Sequence, residues 1–505
     1  MKMTIKNIAL SALAACTLAA CSLDTTPTTY LDAENVYKDT KNAERVLAGS
    51  WNYIFNYGST YATFGLAGVM LNDDFAGSDA VRTLSYGYSP SYNLTNGYSR
   101  GSYCSVLWRI AYDPINNCNG ILKNIDEVSG TDTDKARIKA QAYATRGFCY
   151  MLLATHYAFA IDKDPDAVCA PIYTEPTTSE TALTGNPAAS VSEVYAQALS
   201  DLENALDCMP EGYSHGTTAT DQYKIDYNVT LGLLARTHLY ARNWQKAYDY
   251  ACQLLAKNSY LMTEKEYKSG FSDYNNGEWL WSLSCTIEDN DPCYIFYFKD
   301  CTTSDGYTNL NTDPYFKEKF EEGDYRKDLF YWGYTAYGNP AMVNAKFVMQ
   351  DVDNMLGDIV MMRTSEIYLI KAEAAARLGK TQEAQATLQT LRDARMKSGQ
   401  ATTVTATGEE LVKEIWMERR KELWGEGFAL TDLIRNQQSL ERKDFSDVVM
   451  INGKEVEVTG HSVVNFPDKT EFVPNSKYYL FRIPESEELQ NENLYSKYPR
   501  LSIYN

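Results

Sequence analysis

Residues 364–395 read TSEIYLIKAEAAARLGKTQEAQATLQTLRDAR, and the spacing of their apolar positions sets the fold class. Ile367, Ile370, Ala374 and Leu378 recur along one face of a 3.6-residue helix. Gly379 stands where a helix C-terminus favours a residue with positive φ. Thr381 is placed to cap a second helix, in which Ala384, Leu388 and Leu391 again share a face. The pattern predicts two helices and one tight turn. The small side chains of Ala372 and Ala384 let their backbones approach closely.

A helical hairpin with small residues at those offsets is the tetratricopeptide (TPR) pattern. Residues 228–257 repeat it, with Ala235 and Ala247 separated as Ala372 and Ala384 are. The two hairpins do not follow one another at the period of about 34 residues of a free-standing solenoid. They are expected to pack together as a scaffold, with insertions carried on one side. Further helices are predicted over 42–57, 108–125, 134–158 and 191–206. Residues 71–105 read as a long loop carrying Asp73, Asp74 and tyrosines at 86, 88, 92, 98 and 103, with Gly and Ser between them. From Glu278 the pattern changes. Trp279, Trp281, Tyr294, Phe296, Tyr297 and Phe298 suggest short strands or extended loops, and 316–320 a short helix. Hairpins are predicted over 330–340 and over 449–458, the latter turning at Asn452-Gly453. The fold class is therefore mostly α: a TPR-like helical-hairpin scaffold with loop-rich and short β-hairpin insertions.

A second helix-rich stretch, 415–435, reads IWMERRKELWGEGFALTDLIR. Thr407 and Glu410 have capping-box spacing for its helix. Glu418, Glu422 and Glu426 are spaced as i, i+4 neighbours with Arg419 and Arg420 between them, which favours an ion-pair network. Gly425 and Gly427 break the helix before another begins at Phe428.

Composition narrows the function classes. The chain has 505 residues, 44% hydrophobic and 22% charged, enough for one large domain or two intimate ones. Its formal net charge of −19 argues against nucleic acid or an anionic membrane surface as partner. Tyrosine is the outlier, 39 against 17 Phe and 8 Trp. A tyrosine ring offers an apolar face and a hydroxyl, which suits the C–H patches and hydroxyl rims of sugars as well as helix packing. The 11 cysteines contain no C-x-x-C pair, so they are neither a disulfide framework nor a zinc site. Cys149 and Cys252 fall in helical apolar patterns, and a bridge among Cys285, Cys293 and Cys301 is left open. At the N-terminus, Lys2 and Lys6 precede a short apolar run that ends in Leu18-Ala19-Ala20-Cys21. This resembles a bacterial lipobox, with cleavage before Cys21 and lipid on its thiol. Residues 1–20 are then a signal peptide, and the mature chain is anchored rather than inserted.

No motif of phosphate-loop, dinucleotide, nucleophile-elbow or zinc-protease type is present. The four histidines, at 156, 215, 238 and 461, have no metal-pair spacing, so no metal site is expected. Asp73/Asp74 and Glu321/Glu322 are adjacent carboxylates, but a glycosidase needs two that flank one bond, which adjacency does not establish. Two aromatic regions remain, 86–103 and 279–297. Their candidate ligand contacts are Tyr86, Tyr88, Tyr92, Asn93, Tyr98, Tyr294 and Tyr297: the rings stack on a pyranose and the polar groups bond its rim.

The run RTSEIYLIKAEA at 363–374, then ERRKELWGEGFALTDLIR at 418–435, resembles the C-terminal signature of the SusD/RagB family. The tail Phe481-Arg482-Ile483-Pro484-Glu485, with Asn491 and Asn493, is similar to the family's closing motif. Those proteins are outer-membrane lipoproteins of Bacteroidetes that bind nutrients at the cell surface. The resemblance divides the chain into a signal peptide, an N-terminal region over 21–270 and a C-terminal region over 271–505. It implies a non-catalytic protein that binds a glycan through loops outside the TPR layer and passes it to a SusC-like TonB-dependent transporter. It implies no cofactor and leaves open whether a calcium ion braces the site. A peptide-binding member of the family and a surface glycoside hydrolase on a helical scaffold are the alternatives.

Overall fold

The computed structural model describes residues 36–58, 63–84, 87–96, 102–178, 181–285, 299–302, 310–354 and 356–502. Among the described residues, the helices of seven or more residues are α1 (Thr40–Asn56), α2 (Gly65–Ala76), α3 (Ser102–Asn124), α4 (Asp132–Tyr157), α5 (Val191–Cys208), α6 (Tyr227–Tyr240), α7 (Trp244–Lys257), α8 (Thr364–Arg377), α9 (Thr381–Ala394), α10 (Gly408–Glu422) and α11 (Ala429–Arg435). Among the described residues, ten short strands pair into five two-stranded antiparallel ladders: β1 (Ala80–Val81) with β5 (Asn311–Thr312), β2 (Val168–Pro171) with β3 (Ala188–Ser190), β4 (Trp279–Leu283) with β8 (Ile359–Arg363), β6 (Phe330–Tyr334) with β7 (Pro340–Asn344), and β9 (Ser446–Ile451) with β10 (Lys454–Thr459). The chain is mostly helical, as its periodicity predicts.

The helices stack in order. α1 packs on α3, α3 on α4, α4 on α5, α5 on α6, α6 on α7, α7 on α8, and α8 on both α9 and α10. The two sequence-predicted hairpins, α6–α7 and α8–α9, are therefore neighbours in space, although residues 258–363 intervene. Ala235, Ala247, Ala372 and Ala384 are all buried at the close approaches that required them. The same demand sets Gly147 in α4, where a Cβ would lie 2.9 Å from both the Ala198 carbonyl and Leu202 Cγ of α5. Gly379 has φ +75° and closes the α8–α9 turn. Asn452 and Gly453 both have positive φ, 51° and 76°, the backbone of a type I′ turn between β9 and β10.

Three local expectations are corrected. Residues 71–76 are not loop: they complete α2, every residue of which is buried. A helix covered on all sides shows no amphipathic stripe, and Asn72, Asp73 and Asp74 hid it further. Thr381 is the first residue of α9 rather than its cap, which falls on Lys380. Thr407 does cap α10 by position, but its side chain makes no capping bond, so the box with Glu410 is not formed.

The 418–435 signature closes a buried ionic node. The carboxylate of Glu422 meets three guanidinium groups: Arg326 Nη1 at 2.6 Å, Arg395 Nη2 at 2.9 Å and Arg363 Nη1 at 2.5 Å. Glu278 bonds Arg363 and Arg395 at 2.8 and 3.0 Å, Glu426 bonds Arg363 and Lys346 at 2.8 and 2.6 Å, and Glu418 bonds Arg326 at 2.6 Å. All of these side chains are buried. The expected network is real, but its cations come from distant segments. Arg419 and Arg420, the sequence neighbours, turn instead to Asp432 and Asp79. The node thus ties the 258–363 insertion to the helical stack.

Candidate ligand-binding site

The β1–β5 ladder sets where the first aromatic loop begins. Its register pairs Ala80 with Thr312 and Val81 with Asn311. In an antiparallel pair, the chain leaving Val81 and the chain arriving at Asn311 lie at the same end. The first aromatic region, which follows Val81, therefore begins beside Leu310, the residue before β5. Asn344 of β7 holds the chain on either side of residues 303–309: its Nδ2 donates to the carbonyls of Lys299 at 3.3 Å and Leu310 at 2.8 Å. The Ala336 N–H, beyond the end of β6, donates to the Cys301 carbonyl at 3.0 Å. The β6–β7 hairpin is thus fastened to Lys299, Cys301 and Leu310.

That hairpin presents aromatic rings. Along β6 the alternating positions Phe330, Trp332 and Tyr334 share one face and pass from buried to half-buried to exposed. Trp332 stacks on Phe445 at 5.7 Å between centroids, and Tyr315 meets the edge of Phe445 at 5.5 Å. Tyr331, on the opposite face, and Tyr334 are 44% and 39% exposed, so large apolar surface faces solvent here. Sequence reading identified the hairpin but not this role; the signal was three aromatics at period two.

Of the sequence-predicted contacts, Tyr86, Tyr98, Tyr294 and Tyr297 lie outside the described residues. Tyr88 is buried and stacks on Phe75 at 5.1 Å. Tyr92 is fully buried between the guanidinium groups of Arg82 and Arg442, 5.1 and 4.5 Å from its ring centre. Its hydroxyl donates to His461 Nδ1 at 2.9 Å and accepts the Ser462 N–H at 3.2 Å. His461 Nε2 then donates to the Ser78 carbonyl at 2.9 Å. Burial pushes the His461 pKa down to about 3, in keeping with this neutral tautomer. Tyr88 and Tyr92 therefore anchor the base of the first loop, where no ring face is open to a ligand. Asn93, half-buried, follows the short helix Ser89–Tyr92 and donates its N–H to the Ser89 carbonyl at 2.8 Å. Tyr103 holds the loop from its other end, donating to the Gly87 carbonyl at 2.9 Å.

The adjacent carboxylates do not form a catalytic pair. On α2, Asp73 Oδ2 lies 2.9 Å from His156 Nε2, while Asp74 accepts the Gly427 N–H at 3.0 Å. Both are buried, and burial raises both carboxyls. Glu321 accepts the Thr402 N–H at 2.8 Å. Among the described residues no group of three His, Cys, Asp or Glu side chains is placed to hold a metal ion. Cys301 is a buried free thiol, and Cys293 lies outside the described residues.

Comparison with known proteins meets this geometry. A family profile described as "SusD family" matches residues 296–500, and one described as "Starch-binding associating with outer membrane" matches residues 29–239. The solved structure of a SusD-like carbohydrate binding protein from Bacteroides vulgatus ATCC 8482 is 45% identical, covers 93% of this chain and 100% of its own, and superposes with a TM-score of 0.86. This chain belongs to the SusD/RagB family. The SusD-like protein P38 of Formosa agariphila is 24% identical over 391 residues, 66% of this chain and 73% of that protein. A laminarin binding SusD-like protein, 19% identical over 79% of this chain and 92% of its own, shares the fold at a TM-score of 0.62. The SusD family is one of non-catalytic binding proteins associated with the outer membrane, so this chain is a binding protein and not an enzyme. Among the described residues no helix is long and apolar enough to cross a membrane.

Proposed function

We propose that this SusD-like protein binds an oligo- or polysaccharide at the cell surface and hands it to a SusC-like TonB-dependent transporter. The exposed aromatic face of the β6–β7 hairpin, fastened to Lys299, Cys301 and Leu310, carries this reading. Trp332 and Tyr334 offer rings to the apolar faces of pyranose units. Tyr86, Tyr98, Tyr294 and Tyr297 are assigned to the same rim. The descriptions of relatives as starch-, carbohydrate- and laminarin-binding support a glycan as ligand.

The test is affinity electrophoresis of residues 22–505 against a polysaccharide panel that includes starch and laminarin, with chromatography for breakdown products. One polymer is expected to retard the protein without being shortened. Trp332→Ala with Tyr334→Ala is expected to weaken that binding by roughly 30-fold, about 2 kcal/mol, the scale of a central aromatic anchor. Retardation unchanged in the double variant would place the ligand elsewhere. Binding to oligopeptides and to no glycan would replace the ligand class, and shortened product would overturn the non-catalytic reading.

The anchor and the partner are tested together. Cys21 is proposed to carry the lipid, so Cys21→Ala is expected to move the protein from the membrane fraction to the wash. Wild-type protein purified from detergent-solubilised outer membranes is expected to bring down a TonB-dependent barrel. A membrane-retained Cys21→Ala variant, or wild type that emerges alone, would contradict the respective assignment.

A further inference from the structure

Asparagine stands before glycine at Asn96, Asn119, Asn276 and Asn452. In such a pair the glycine nitrogen can attack the asparagine side chain with no side chain of its own to shield it. The fold treats the positions very differently. Asn119 is buried in α3, where its Nδ2 donates to the carbonyls of Tyr173 and Glu175, both at 3.0 Å, and its Oδ1 accepts from Arg146 Nη1 at 2.7 Å. Gly120 lies inside the same helix, so its N–H belongs to the helical ladder. Asn276 is held at both side-chain atoms: Oδ1 accepts the Glu278 N–H at 3.0 Å, and Nδ2 donates to Met262 Sδ at 3.0 Å. Asn96 is buried, and its Nδ2 donates to Ser91 Oγ.

Asn452 differs on each count. It is exposed, as are Met450, Gly453, Lys454 and Glu455 around it. A Cβ on Gly453 would find nothing within 4 Å. The register pairs Ile451 with Lys454, so Asn452 and Gly453 are the two central residues of the turn. The bond that closes a β-turn joins its outer residues and leaves the central N–H groups free. A two-stranded ladder is marginally stable by itself, and an exposed tip opens more readily than the core. Opening releases the positive φ of Asn452, 51°, and lets the Gly453 nitrogen reach the side chain.

We propose that Asn452 is a modification site, the asparagine at which the folded chain deamidates first. Hydroxide takes the Gly453 amide proton, and the nitrogen attacks Asn452 Cγ. The new N–Cγ bond forms as the Cγ–Nδ2 bond breaks, and Nδ2 leaves as ammonia with a proton from water. The resulting succinimide is opened by water at either carbonyl, to aspartate or to isoaspartate, with no change of oxidation state. Both products add one negative charge. Isoaspartate also carries the main chain through the side-chain carbon, which puts an extra methylene into a turn with room for two residues. The other end of the hairpin is far from this change: there the Gly460 N–H donates to the Phe445 carbonyl at 3.0 Å, and Phe445 stacks on Trp332.

The test is to incubate purified residues 22–505 in mildly alkaline buffer, then map peptides by mass spectrometry and label isoaspartate enzymatically. Asn452 is expected to convert at least about tenfold faster than Asn119 or Asn276, a barrier difference of about 1.4 kcal/mol. In urea the same asparagines should convert at similar rates, which assigns the selectivity to the fold. Gly453→Ala should slow the reaction at least fivefold, because a methyl group shields the nitrogen. That substitution also strains the turn, so a rate governed by turn opening alone would rise instead. Polysaccharide retardation by the aged protein should match that of fresh protein. An intact Asn452 after Asn276 or Asn119 has converted, the same selectivity in urea, or faster conversion in Gly453→Ala would each overturn the assignment.

Discussion

Glu422→Ala is expected to cost about 3–5 kcal/mol of folding stability, the scale for removing one partner of a buried ion pair. The substitution does more than lose hydrogen bonds. It leaves Arg326, Arg363 and Arg395, all at most 2% exposed, converging on a site with no carboxylate. Each guanidinium keeps another partner, but the positive charge is no longer balanced in a region that water does not reach. Glu422→Gln keeps the volume and fares little better, because the charge is what the site needs. The contrast is Glu410→Ala, which breaks the pair with Lys413. Both of those side chains are well over half exposed, and such a pair contributes about 0–1 kcal/mol. Urea unfolding of the three variants separates the cases. A Glu422→Ala midpoint close to that of Glu410→Ala would mean that the node does not hold the fold together.

Acid should unfold the protein through the same carboxylates, most steeply below about pH 4.5. Burial alone would raise the pKa of Glu373, but Arg435, bound through both Nη atoms at 2.8 and 2.9 Å, holds it down to about 2. Glu418, Glu422 and Glu426 are likewise buried and yet held below the usual carboxylate range, by Arg326, by Arg395 with Arg363, and by Arg363 with Lys346. A carboxyl whose folded pKa is depressed stabilises the fold above its unfolded value, near 4.3, and that contribution is lost as pH falls through the folded pKa. For Glu373 alone the loss between about pH 4.5 and 2 is on the order of 3 kcal/mol. Between pH 7 and 5 opposing terms are present. Burial lowers His461 and His238 to about 3 and about 4, so acid begins to favour the unfolded chain there. Burial pushes Asp313 up to about 7, which has the opposite sign. The melting temperature is therefore expected to change gently from pH 7 to 5 and to collapse below 4.5. A collapse centred near pH 6, or a melting temperature that holds at pH 2.5, would refute this account.

The scaffold was legible because its signal is local. Alanines and leucines at helical spacing define α6–α7 and α8–α9 without reference to anything else, and Asn452-Gly453 defines its hairpin in the same way. The approach of the first aromatic region to the chain at Leu310 was not legible. It depends on β1 and β5, two residues each, and a two-residue strand has no alternation to detect. The burial of Tyr88 and Tyr92 escaped for a related reason. Their partners, Phe75, Arg442 and His461, lie on an unrecognised helix and 350 to 369 residues away in the chain. Composition marked the region correctly as rich in rings, but only tertiary contacts separate the tyrosines that hold the loop from the aromatics that face outward.

The interruption of the helical stack between α7 and α8 also bears on synthesis. A chain emerging N-terminus first has made α1 through α7 well before residue 364 appears, and these helices stack in the order in which they are made. Until α8 arrives, the outer face of α7 has no neighbour, and Arg326 and Lys346 of the insertion have no glutamates from 418–426 to meet. Closing so long an excursion adds only a slowly growing entropy cost, about 0.6 kcal/mol per doubling of its length. The delay is therefore one of time more than of free energy. That delay keeps α8 through α11 and the buried ionic node unfinished until nearly the whole chain exists, while the first seven helices can already stack.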